Sequence, residues 1–127
     1  MPPEIRVGDV IRIFDGTTNP PKPKRFLCVC VAEGWFLRIN TRSIWRPHFL
    51  LPHVGNENCL DHDSYLELRG IIEYDDYSLE EALSQGDNHL GPISKATMIA
   101  IVAYLPSLRN LTKAECDRMI ANLTAAL

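Results

Sequence analysis

Seven consecutive apolar residues, Phe26-Leu27-Cys28-Val29-Cys30-Val31-Ala32, constrain the fold of this chain more than any other feature. An unbroken apolar run of this length is the pattern of a β-strand buried on both faces. Glu33-Gly34 follows, and then Trp35-Phe36-Leu37-Arg38-Ile39-Asn40. Two residues including a glycine between two strand-like runs signal a hairpin. The chain has 127 residues, 46% of them hydrophobic, which excludes a disordered polymer and suits one domain. A domain of this size buries roughly two-thirds of its unfolded surface, so no metal or disulfide staple is needed.

Further strands are expected around the hairpin. Val7-Gly8-Asp9-Val10-Ile11-Arg12-Ile13-Phe14 is rich in β-branched residues and opens on a turn-prone Gly-Asp pair. Residues 15–23 carry three prolines and a glycine and read as an exposed loop. Ile44-Trp45 and His48-Phe49-Leu50-Leu51 are short strand candidates, interrupted by Pro47 and Pro52. Tyr65-Leu66-Glu67-Leu68 alternates, and Ile71-Ile72-Glu73-Tyr74 continues after a kink at Gly70. Helices follow. Ser78-Leu79-Glu80-Glu81 and Thr112-Lys113-Ala114-Glu115 both fit capping boxes, Ser94 can cap a helix that ends before Pro106, and Gly91-Pro92-Ile93 reads as a connector. Cys116, Met119, Ile120, Leu123 and Leu127 keep the spacing of one apolar helix face. The expectation is a single α+β domain: a small antiparallel barrel over about 5–77 and a helical portion over about 78–127.

The longest apolar run, residues 98–105, falls far short of the ~20 residues that span a bilayer. No apolar segment follows Met1-Pro2-Pro3-Glu4, so no secretory signal is expected. Four cysteines are too few for a disulfide framework, and the expected setting is the reducing cytoplasm, with no membrane partner. The net charge of −3 hides an asymmetry. Residues 1–50 carry eight basic and four acidic side chains, whereas residues 51–127 carry five basic and twelve acidic. Phosphate backbones respond to local fields, so the acidic total leaves nucleic acid open as a partner.

Metal is set aside. His53, Cys59 and His62 have no partner pair at a zinc spacing, and Cys28 and Cys30 lie within an apolar run where cysteine acts as a small hydrophobe. Neither a glycine-rich phosphate loop nor a Gly-x-Ser-x-Gly elbow is present, and no cofactor is implied. Trp35 and Trp45 could stack bases or simply pack. Two polar clusters remain: Lys22-Pro23-Lys24-Arg25, which feeds into the apolar strand, and Asp61-His62-Asp63-Ser64-Tyr65, with a histidine between carboxylates. RNA chain cleavage needs a base for the 2′-hydroxyl, an acid for the leaving oxygen and cations for the phosphoryl charge. A histidine, an anchored arginine and a hydroxyl can supply these. The plainer alternative is a polar turn before a strand.

Gly8-Asp9-Val10-Ile11, the arginine entering a buried strand in Lys24-Arg25-Phe26-Leu27-Cys28-Val29, the strand end Asn40-Thr41-Arg42 and the turn Leu90-Gly91-Pro92-Ile93 together resemble the PemK/MazF toxins of bacterial toxin–antitoxin pairs. The resemblance runs loosely from Gly8 to about Leu105. It implies an SH3-like barrel with added helices, a homodimer, metal-independent cleavage of single-stranded RNA, and an antitoxin protein that blocks the groove. It also implies Arg25 as the phosphate-side arginine and Thr41 as the polar group lining the site. His62 is the nearest candidate for the third catalytic position, with Asp61 or Asp63 orienting it, and Lys22 and Lys24 hold phosphate. Family members commonly have proline where Phe26 follows Arg25. That departure and the acidic second half favour the rival expectation, a non-catalytic SH3-like binding module for a protein or nucleic acid, from a phage or mobile element.

Overall fold

The first five residues of the apolar run, Phe26 to Cys30, lie at the centre of a sheet, whereas Val31 and Ala32 are exposed in the turn that follows. The computed structural model describes residues 4–17 and 19–127; Met1, Pro2, Pro3 and Thr18 lie outside the described residues. Phe26 to Cys30 end the strand β2 (Lys22–Cys30), and each of these five residues is at most 2% exposed. Antiparallel neighbours flank it, β1 (Asp9–Asp15) on one edge and β3 (Trp35–Asn40) on the other. Beyond β3 lie β5 (Ser64–Glu67) and then β4 (His48–Leu51), while β6 (Ile72–Glu73) pairs with the start of β3. On the far side of β1 lies β7 (His89–Pro92). The path is therefore β4-β5-β3-β2-β1-β7, and with helices α1 (Asp76–Leu83), α2 (Lys95–Tyr104) and α3 (Lys113–Ala125) the protein is α+β. No described helix is long and apolar enough to cross a membrane.

Alternation sorts the side chains of β2 to two layers. Leu27 and Val29 join Leu37, Leu66, Met98, Ile101, Met119 and Leu123 in the larger core, under α2 and α3. Phe26 and Cys28 join Ile11, Ile13, Phe36 and Leu83 in the smaller one, under α1. The hairpin turn requires Gly34: its φ is 66°, and a Cβ there would stand 2.2 Å from the Tyr74 carbonyl oxygen.

Helices α2 and α3 start where their caps lie. The Ser94 side chain accepts from the Thr97 N–H, and Thr112 and Glu115 form a reciprocal capping box. On α3, Cys116, Met119 and Leu123 are buried and Ile120 packs partly buried against the same core. Met119→Ala is expected to cost about 2–5 kcal/mol, the range for emptying a filled core site. Urea denaturation measures it, and a loss within ~0.5 kcal/mol would mean that the site behaves as surface.

Four expectations need correction. Both ends of the expected loop 15–23 are strand: β1 and β2 continue as a ladder to Asp15↔Lys22, and Pro23 is tolerated near the strand start. Ile44 and Trp45 lie in the irregular connection ahead of β4 and are both exposed. Helix α1 is capped by Asp75, whose carboxylate accepts from the Ser78 N–H at 2.7 Å; it is the first competent cap after β6, so Ser78 falls inside the helix. Gly91 and Pro92 of the expected connector Gly91-Pro92-Ile93 belong to β7, which satisfies the outer edge of β1 and places a strand within the portion expected to be helical.

Candidate functional site

The face of the sheet that carries Phe26 and Phe36 changes character along its length. Residues directly opposite in a ladder share a face, so the register Ile13↔Lys24 and Phe26↔Arg38 aligns Asp15, Lys24, Arg38 and Asn40 beyond the smaller core. Glu67 joins them from β5, one step along the ladder from the pair Ile39↔Leu66. The Arg38 guanidinium lies 5.9 Å from the Phe26 ring centroid, at the boundary between the apolar and polar halves.

These polar side chains form one connected network. Arg38 donates through Nε to Asp15 Oδ2 at 2.8 Å, through Nη1 to Glu67 Oε2 at 3.1 Å and through Nη2 to Thr17 Oγ1 at 3.2 Å. Asn40 Nδ2 donates to Glu67 Oε1 at 3.0 Å, and the Asn40 carbonyl oxygen accepts from the Lys24 ammonium. Burial pushes the Asp15 carboxyl upward, but hydrogen bonds from Thr17 and the charge of Arg38 outweigh it and hold the group below its ordinary value. Lys24 is shifted down, first by burial and then by the charge of Arg38. Lys24, Arg38, Asn40 and Glu67 of this network form the floor of an open cleft of about 660 Å³. Thr41, Arg42, Ile44 and Trp45 from the connection after β3 line it, together with Lys22, Thr17 and Arg69. Arg69 lies over the Trp45 indole, 5.1 Å from the ring centroid.

A second, smaller cleft of about 190 Å³ lies beside it and shares Lys22, Lys24, Asn40 and Thr41. It brings together Arg25, Thr41 and His62, which stand on β2, just after β3 and just before β5. The register Arg25↔Ile39 carries Arg25 to the end of β3 that Thr41 follows, and β5 pairs with that same end.

The carboxylates do not orient His62 as expected. Asp61 Oδ2 accepts from Arg25 Nη2 at 2.9 Å, which holds the Asp61 carboxyl below its ordinary value. Asp63 Oδ1 accepts from the His53 N–H at 2.8 Å and ties down the preceding loop. Each carboxylate thus accepts from another donor, and His62 Nδ1 lies 2.8 Å from the Asp63 carbonyl oxygen instead. A carbonyl can only accept, so Nδ1 carries the hydrogen and Nε2 is the basic nitrogen of the neutral ring.

Arg38, Asn40, Glu67 and Asp15 were not among the expected site residues. The signal was present in the alternation Phe36-Arg38-Asn40 and in Glu67 between Leu66 and Leu68, where charged or amide groups interrupt strand positions that face inward. No group of three or more His, Cys, Asp or Glu side chains among the described residues is placed to hold a metal ion. The four cysteines are free and buried, and burial raises the Cys28 thiol to about 12. Comparisons with protein-family models, with curated proteins and with solved structures find no match to this chain.

Proposed function

We propose that this protein is a PemK/MazF-like endoribonuclease on an SH3-like barrel, acting on single-stranded RNA without a metal. The observation that carries the reading is the meeting of Arg25, Thr41 and His62 in one cleft, at the rim of a larger cleft lined by Lys22, Lys24, Arg38, Arg42 and Arg69. The short antiparallel strands around β2, with β5 and β6 sharing one edge of β3, support the barrel. Cationic walls beside an exposed tryptophan suit an unpaired strand, whose phosphates seek charge and whose bases seek flat surfaces.

In this reading His62 Nε2 takes the proton of a ribose 2′-hydroxyl as that oxygen attacks the adjacent phosphorus. The 5′-oxygen leaves and takes up a proton from water, giving a 2′,3′-cyclic phosphate and a 5′-hydroxyl. Arg25 and Lys24 stabilise the added phosphoryl charge, and the Thr41 hydroxyl hydrogen-bonds a phosphate oxygen. The same reading gives the protein a second copy of itself and an antitoxin protein as partners, in the cytoplasm.

One observation favours a second reading, that of a binding module without catalysis. The Arg25 guanidinium is already paired with Asp61 at 2.9 Å. A single assay separates the two. Purified protein is mixed with a pool of single-stranded RNA at several salt concentrations, with and without EDTA. The cleavage reading expects products ending in a cyclic phosphate, unchanged by EDTA. Affinity should fall with salt at a log–log slope of roughly −3, as for four phosphate contacts on a single strand. Salt-sensitive binding without products would leave the binding module, and neither binding nor products would sink both.

A further inference from the structure

We propose that the larger cleft is a base-reading pocket that selects guanine in the nucleotide beside the bond that is cleaved. The inference rests on the reading of the site as one for single-stranded RNA, and it concerns the part of the site that performs no chemistry.

The floor of the cleft offers acceptors in a fixed orientation. Glu67 is buried, and each of its carboxylate oxygens receives one hydrogen bond, from Asn40 Nδ2 at 3.0 Å and from Arg38 Nη1 at 3.1 Å. A carboxylate has about four acceptor positions, so both oxygens keep capacity for a ligand. Arg38 is in turn held by Asp15, which leaves the carboxylate little freedom to rotate. Keeping so many charged groups beneath a cleft costs stability compared with apolar packing, and a ligand that uses them gives a reason for their presence. Guanine presents two N–H donors, N1 and N2, side by side on one edge, and a carboxylate accepts both. Adenine and cytosine offer one exocyclic amino group on that edge beside a ring acceptor. Uracil offers one N–H between two carbonyls that a carboxylate repels. The expected order is therefore guanine first and uracil last.

The wall of the cleft supplies the stacking surface. Trp45 is 43% exposed and is paired with the Arg69 guanidinium, and both line the cleft. An indole with a guanidinium beside it is a flat cationic platform of the kind on which bases stack. A volume of about 660 Å³ accommodates one nucleotide. Lys24 and Thr41 line both clefts, so a nucleotide seated here places its phosphate beside Arg25 and His62.

The test is a two-dimensional NMR titration of the full chain with GMP, AMP, CMP, UMP and ribose 5-phosphate, following the two tryptophan indole N–H signals. Trp35 stands at the opposite end of β3, under Arg118, and serves as the internal control. The Trp45→Ala variant assigns the signals. The proposal expects GMP to move the Trp45 signal and not that of Trp35. Half-saturation should occur at about tenfold lower concentration than for UMP, the scale of one good bidentate base contact. In Glu67→Gln that preference should collapse, and in Trp45→Ala the affinity for GMP, read from backbone signals of the cleft, should drop about tenfold or more. An unmoved Trp45 signal, an equal response to ribose 5-phosphate, or equal affinity for all four nucleotides would overturn it. The titration needs no cleavage. An inactive protein that still prefers GMP would defeat the endoribonuclease reading alone, and RNA cleavage without GMP preference would defeat this proposal alone.

Discussion

His62→Ala lowers the rate of RNA cleavage by about 10²–10⁴-fold under the proposed mechanism, the range for losing a general acid or base. Fold stability changes little, because His62 is exposed and its ring hydrogen bond is to the carbonyl of the next residue. Arg25→Ala removes most of the activity, since a cation beside the developing phosphorane contributes several kcal/mol to the transition state. Arg25→Lys should recover only part of it, because an ammonium lacks the planar fork that grips two phosphate oxygens. Single-turnover cleavage of one oligonucleotide measures all three variants. Equal rates in wild type and His62→Ala would remove His62 from the mechanism.

Arg38→Leu destabilises the fold by about 3–5 kcal/mol near neutral pH, because two buried carboxylates lose their shared cation. Asp15 and Glu67 are each less than a tenth exposed, so water does not replace the guanidinium. The deficit depends on pH with a definite sign. Burial raises the Asp15 carboxyl, but Thr17 and Arg38 more than compensate, so its folded value lies below 3.8. A depressed carboxyl contributes stability that is fully present above its unfolded value and is lost as pH falls through its folded value. Wild-type stability should therefore decline below about pH 4, and the difference between wild type and Arg38→Leu should narrow over the same range. Urea denaturation between pH 3 and 7 tests both statements. A pH-independent difference would mean that Arg38 acts through packing on Phe26 and not through charge.

The two predictions differ in how far the sequence foretold their residues. The family resemblance marks Arg25 and Thr41, and the place between two carboxylates marks His62; the cleft that unites them follows from the registers of β2 on β3 and of β3 on β5. Arg38, Asp15 and Glu67 were not marked. Arg38 lies 23 residues from Asp15 and 29 from Glu67, so no local pattern joins them. Each alone resembles an ordinary polar position on a half-exposed strand.

What the sequence determined by itself was local. The apolar run into β2, the turn glycine at Gly34 and the caps at Ser94 and Thr112 act within a few residues of themselves, so short stretches of sequence suffice to read them. Only the tertiary structure decided where charge is buried and which face it lines. That outcome depends on strand register, and a slip of one residue would send Arg38 and Asn40 to the opposite layer. It also depends on competition among donors: Asp61 and Asp63 flank His62 in the chain, yet Arg25 and the His53 amide take them. A carboxylate goes to the donor that folding brings nearest, and three-dimensional distance is the quantity a linear sequence does not record.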